Sequence, residues 1–171
     1  MSAQRAGRED ELDGFAVAVV FEDSRWKVKA LGARALDGLE NAERELLGLR
    51  SPGAFFGLLD VDEEFFVIVR PAPGGTRLLL SDATAAVDYD IAADVLERLN
   101  VDIPDLDPDE IDDTEPWEEG DLTILADLGL PEPVLAVIVG DTDLYPDEQF
   151  SMIAQRLGFD AELSAVLDAQ E

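Results

Sequence analysis

Ala54–Arg70 reads AFFGLLDVDEEFFVIVR, two apolar runs parted by acids. Ala54–Leu59 and Phe65–Arg70 have the length and the aromatic and aliphatic content of strands. Between them, Asp60–Glu64 holds Asp60, Asp62, Glu63 and Glu64 and makes an acidic turn. Phe65, Phe66, Val67, Ile68 and Val69 are apolar at every position, so this strand needs cover on both faces and belongs inside a sheet.

Upstream, Phe15–Phe21 (FAVAVVF) and the alternating Trp26–Ala30 flank the turn residues Glu22-Asp23-Ser24 and predict a hairpin. Leu36, Leu39, Leu46 and Leu47 share a helical face, and Ser51-Pro52-Gly53 stops that helix near Arg50. Downstream, Pro71–Gly75 is a second turn and Arg77–Leu80 a fifth strand. Ser81 or Asp82 caps a helical stretch from about Ala83, and Ile91, Val95, Leu96 and Leu99 carry the pattern to Asn100. The order is strand, strand, helix, three strands, helix. Short connections favour an antiparallel sheet of about five strands with packed helices, an α+β fold. This order is similar to the roadblock and longin group, a topological likeness that carries no function.

Around that α+β domain (14–100) we expect a disordered leader over 1–13, an acidic linker over 101–121 and a helical segment over 122–171. The linker holds 11 acids and no base, with Pro104, Pro108 and Pro116 among them, so it should be extended and self-repelling. Beyond it, Leu122–Leu128, Pro131–Val139, Pro146–Leu157 and Ala161–Leu167 read as short helices.

Charge narrows the function. Against 40 acids stand 12 bases, a net charge of −28, and after Arg98 the only base is Arg156. The field has the wrong sign for unaided binding to DNA or tRNA, which needs Lys and Arg to displace phosphate counterions. It also repels an anionic membrane and speeds association with a basic protein, although solubility alone would account for it equally well. There is no cysteine, so no disulfide scaffold points to secretion, and no apolar run is long enough to span a bilayer. A cytoplasmic location follows as the expectation.

No pattern calls for a cofactor or metal. Asp105, Asp107 and Asp109 occupy the first, third and fifth places of an EF-hand-like series. Glu110 then stands where glycine is required, and Pro116 where a bidentate acid is required. The acids of Asp60–Glu64, with Asp82 and Asp88, serve equally as turn and cap residues, and two-carboxylate hydrolysis needs a facing pair across a cleft. Ser81 has no histidine to activate it. The candidate interface therefore comprises the acids Asp107, Asp109, Glu110, Glu118 and Glu119. Trp117 and Tyr145 join them as aromatic anchors, unless those rings pack on the helical segment's own core.

FFGLLDVDEEFFVIVR (Phe55–Arg70), LLLSDATAA (Leu78–Ala86), GDLTILADLGL (Gly120–Leu130) and DLYPDEQF (Asp143–Phe150) occur in one order. Together they resemble the actinobacterial tRNA adenosine deaminase-associated protein family, over about residues 15–160. That family takes its name from association with the gene for the deaminase that makes inosine in the tRNA anticodon. The name brings no activity and no catalytic residues. Zinc deaminases need His and Cys ligands beside a glutamate, and this chain has neither ligand type. The resemblance and the charge together make a non-catalytic partner of that deaminase, docked on its basic surface, the first expectation. A general adaptor unrelated to tRNA is the alternative, and a carboxylate-only divalent-metal enzyme a third.

Overall fold

A computed structural model describes residues 13–50, 53–111 and 113–169. Its sheet holds six antiparallel strands: β1 (Gly14–Glu22), β2 (Arg25–Ala30), β3 (Ala54–Val61), β4 (Phe65–Arg70), β5 (Arg77–Leu80) and β6 (Glu119–Gly120). Their order across the sheet is β2-β1-β3-β4-β5-β6. Six helices accompany them: α1 (Leu39–Gly48), α2 (Asp90–Leu99), α3 (Pro108–Ile111), α4 (Glu132–Gly140), α5 (Pro146–Leu157) and α6 (Asp160–Ala169). The α+β class holds. The sixth strand is the difference from the expected five, and it comes from inside the acidic stretch, where Glu119 and Gly120 pair with Leu80 and Leu79. The leader read over 1–13 lies outside the described residues except for Asp13.

The period of two distributes β1, β3, β4 and β5 between two cores. On one face Ala16, Ala18, Leu59, Val61, Phe65, Val67, Val69, Leu78 and Leu80 pack under α1 and α2. On the other, Val17, Val19, Phe56, Leu58, Phe66, Ile68 and Leu79 pack under α4, α5 and α6. β4 is apolar on both sides because both sides are covered, as its sequence required. Phe150 of α5 seats this second layer, its ring 5.8 Å from Phe15 and 5.0 Å from Phe66. Two arginines at the strand ends tie the same face to the chain beyond β6. Arg70 forks onto Asp127 at 2.6 and 2.9 Å and donates to Ile124 O at 2.7 Å. Arg77 Nε donates to Asp121 Oδ2 at 2.7 Å.

Three expected helices change form for local reasons. The helix read across Leu36–Arg50 is split into a 3-10 turn at Ala33–Leu36 and α1, because Gly38 between them is fully extended. The Leu39 N–H that starts α1 is taken by Asp94 of α2 at 3.1 Å. The stretch from Ala83 likewise forms a 3-10 turn over Ala83–Val87, with Asp82 accepting from Thr84 N, and then α2. Of Leu122–Leu128 only Ala126–Leu128 is helical, as a 3-10 turn. Asp121 caps Thr123 N–H, and Thr123 O accepts both from Ala126 N at 3.0 Å and from Arg77, so the segment winds with the tighter i to i+3 spacing.

The β1–β2 hairpin turns through two residues and the β3–β4 hairpin through three, Asp62–Glu64. Asp23 and Ser24 have φ of 56° and 62°, and Asp62 and Glu63 have 59° and 57°. Left-handed backbone at both central positions matches the twist of the strands it joins.

Candidate functional site

Antiparallel pairing puts the start of β4 and the end of β5 at one end of the sheet, and the loop between α4 and α5 folds down beside them. A cleft of about 80 Å³ opens there, lined by Glu64, Ser81 and Asp82 from the sheet end, Pro116, and the α4–α5 side through Val139, Thr142, Leu144, Pro146 and Gln149. Ser81 Oγ accepts from Phe66 N at 2.9 Å, which fixes the strand ends together. Asp82 spends Oδ1 on Thr84, accepting from its N and its hydroxyl at 2.9 and 2.6 Å. Gln149 is 5% exposed and donates Nε2 to Ile138 O at 2.8 Å and to Val139 O at 3.4 Å, the last carbonyls of α4. The lining is rich in acceptors and contains no Lys or Arg.

Beside the cleft, the four acids of the β3–β4 connection diverge. Asp60 has the parity of Phe56 and Leu58, so its carboxyl enters the core under α5 and is 1% exposed. Burial first, then the charges of Asp147, Glu63 and Asp62, push its pKa up to about 7, although Glu63 N–H donates to it at 3.0 Å. Asp62 turns to the other face, where Tyr89 donates its hydroxyl to Oδ2 at 2.6 Å. Tyr89 packs on Phe65 in the opposite core, and burial followed by this bond raises its pKa. Glu63 and Glu64 are exposed. A pair of carboxylates acting on one bond must converge; Asp60 and Asp62 point to opposite faces. Asp82 is a cap, and Asp88 closes the same 3-10 turn.

The residues selected from sequence are distributed unevenly about this cleft. Trp117 is 38% exposed; its backbone O accepts from Ala83 N at 2.8 Å, which holds Pro116 against the lining. Tyr145 is 63% exposed and precedes Pro146, its N–H held by Glu148 Oε1 at 2.9 Å. The two aromatic residues thus adjoin two prolines of one cleft. Glu118 and Glu119 are half-buried near β6, with Glu119 accepting from Trp117 Nε1 at 3.1 Å. Asp107, Asp109 and Glu110 belong to the exposed turn of α3, where Glu110 caps Asp107 N–H at 2.9 Å, and they do not line the cleft. Among the described residues no group of three or more His, Cys, Asp or Glu is placed to hold a metal ion, and no helix is long and apolar enough to cross a membrane.

Gln149 was legible and overlooked. It interrupts the stripe Pro146, Phe150, Ile153 and Leu157, and a polar residue on a buried helical face needs a partner. Asp60 gives a like signal, falling on the inward parity of β3.

A family model described as Rv3753c-like tRNA adenosine deaminase-associated protein matches residues 14–160. Protein Rv3753c of Mycobacterium tuberculosis (strain ATCC 25618 / H37Rv) is 60% identical over 172 residues, covering 98% of each chain. No solved structure matches. Because the match runs through the sheet, the acidic stretch and the helices as far as α5, the chain belongs to the Rv3753c-like tRNA adenosine deaminase-associated protein family.

Proposed function

We propose that the protein is a non-catalytic binding partner of a tRNA adenosine deaminase, docking its acidic C-terminal half on a basic surface of the enzyme. The observation that carries this reading is the separation of charge across the sheet. β2, at one edge, bears Arg25, Lys27 and Lys29, whereas β6, at the other edge, closes the acidic stretch. From residue 101 to 171 the chain has 21 acids and one base, Arg156. Arg70, Arg77 and Arg98 are already paired with Asp127, Asp121 and Glu43, so the acids of 101–119 keep their field.

An enzyme that binds tRNA needs Lys and Arg along its RNA path. A surface of opposite sign accelerates encounter and sets orientation. The chain itself has no His or Cys with which to build a zinc deaminase centre. The family description, which speaks of association with a tRNA adenosine deaminase, supports the choice of enzyme.

The test mixes the two purified proteins at about 50 mM and about 300 mM salt, where screening differs strongly. Binding is read by calorimetry and inosine formation by nucleoside analysis of tRNA. A complex that weakens steeply with salt, accompanied by a change in inosine yield, is expected. Absence of a complex at low salt, with inosine unchanged, refutes the proposal. Salt-independent binding points instead to a general adaptor.

A further inference from the structure

We infer that the cleft beside β4 and β5 is a receptor for a guanidinium group, the side chain of an arginine on a protein partner. It deepens the reading above and rests on it only for the partner's identity. The decisive group is Gln149. Its side chain is 5% exposed, its amide nitrogen is turned to the end of α4, and no donor among the described residues reaches its Oε1. A buried carbonyl without a donor is costly, and it is normally matched by a partner group.

What surrounds that carbonyl is mainly acidic. Glu64 makes no side-chain hydrogen bond or ion pair among the described residues, and Asp82 engages only Oδ1, leaving Oδ2 unused. α4, nine residues long, ends at the cleft, and the C-terminal end of a helix favours positive charge. α5 also begins here, and its positive end is offset by Asp147 and Glu148 in the first turn, while Pro146 itself has no N–H. Two carboxylates and an amide carbonyl around one small space select a cation with several donors.

The spread of acceptors distinguishes the cation. Glu64, Asp82 and Gln149 reach the cleft from three separate places in the fold: the turn before β4, the end of β5 and α5. Trp117 and Tyr145, both exposed, are the chain neighbours of the lining residues Pro116 and Pro146. Acceptors spread in this way suit the planar, forked, weakly hydrated guanidinium better than a compact ammonium.

The test titrates the full, isotopically labelled chain with Nα-acetyl-arginine amide and follows the Gln149 side-chain amide and the Ser81, Asp82 and Thr142 backbone signals by NMR. Nα-acetyl-citrulline amide is the neutral isostere, and calcium and magnesium chloride form separate arms. The double variant E64Q/D82N keeps the cap on Thr84, since Asn caps as Asp does. Saturable shifts confined to the cleft are expected with the arginine amide, absent with citrulline and weakened about tenfold or more in E64Q/D82N. Shifts that are diffuse, or equal in the double variant, overturn the inference. Tighter, stoichiometric binding of calcium or magnesium at the same signals also overturns it, in favour of a metal site. With the deaminase, equal binding by wild type and E64Q/D82N defeats the cleft while sparing the partner reading. Arginine binding without any deaminase complex does the reverse.

Discussion

Asp60→Asn removes a buried carboxylate while keeping its shape. The Asp60 carboxyl lies in the core under α5, facing Asp147 from that helix and Glu63 and Asp62 from its own turn, with no cation among the groups that shift it. Its pKa rises from 3.8 to about 7 on folding. A raised folded value means that the protonated form favours the fold: the stabilisation is complete below about pH 4 and lost as pH rises through about 7. At 1.36 kcal/mol per unit the displacement corresponds to about 4 kcal/mol, which screening and relaxation reduce to about 2 kcal/mol. Asn cannot ionise and its Oδ1 can still accept from Glu63 N–H. Urea unfolding of both proteins at about pH 5 and pH 8.5 isolates the effect, because the other carboxylates cancel in the difference. The variant should gain about 1.5 kcal/mol on wild type between the two pH values, or about 0.7 M in midpoint at a slope of about 2 kcal/mol/M. A difference that stays constant with pH refutes the assignment, as does a variant that loses ground at pH 8.5.

Gly120→Ala should detach β6: Gly120 has φ +119°, and an added Cβ would lie 2.3 Å from Leu78 O. A loss of about 2–3 kcal/mol and new protease cleavage within 113–121 are expected, and an unchanged digest would disprove the role of β6. Arg70→Ala should cost about 2–3 kcal/mol, since Arg70 is 13% exposed with three bonds, whereas Arg98→Ala, at 41%, should cost about 0.5–1 kcal/mol. Arg70 also holds Asp127 below the ordinary carboxylate range. That stabilisation is present above the unfolded pKa and lost as pH falls, so the Arg70 variant should show less acid sensitivity in melting curves. Phe150→Ala should cost about 3–5 kcal/mol in urea unfolding, and a loss under about 1 kcal/mol would mean that α5 is not seated by this ring.

The strand pattern was open to reading in one dimension because its period is local. Arg25–Ala30, Phe65–Arg70 and Arg77–Leu80 alternate or saturate with apolar residues whatever lies around them. Helix ends were less legible. Leu39 starts its helix with an N–H held by Asp94, 55 residues away, and the Leu122–Leu128 segment is held at Thr123 by Arg77, 46 residues away. Of the candidate interface, the acids could be named from composition, but not their grouping: Asp107, Asp109 and Glu110 stand apart from the cleft that Pro116 and Pro146 share.

By itself the sequence determined the α+β class, the covered position of Phe65–Val69, the charge of −28 and the absence of His and Cys, since each follows from residue identity and short-range period. Only the tertiary structure decided that Asp60 and Asp62 part to opposite faces, that Glu119-Gly120 completes the sheet, and that Gln149 meets Glu64 and Asp82 across one cleft. Those groups are far apart in the chain, and the antiparallel register and the layer of α4 and α5 bring them to one place.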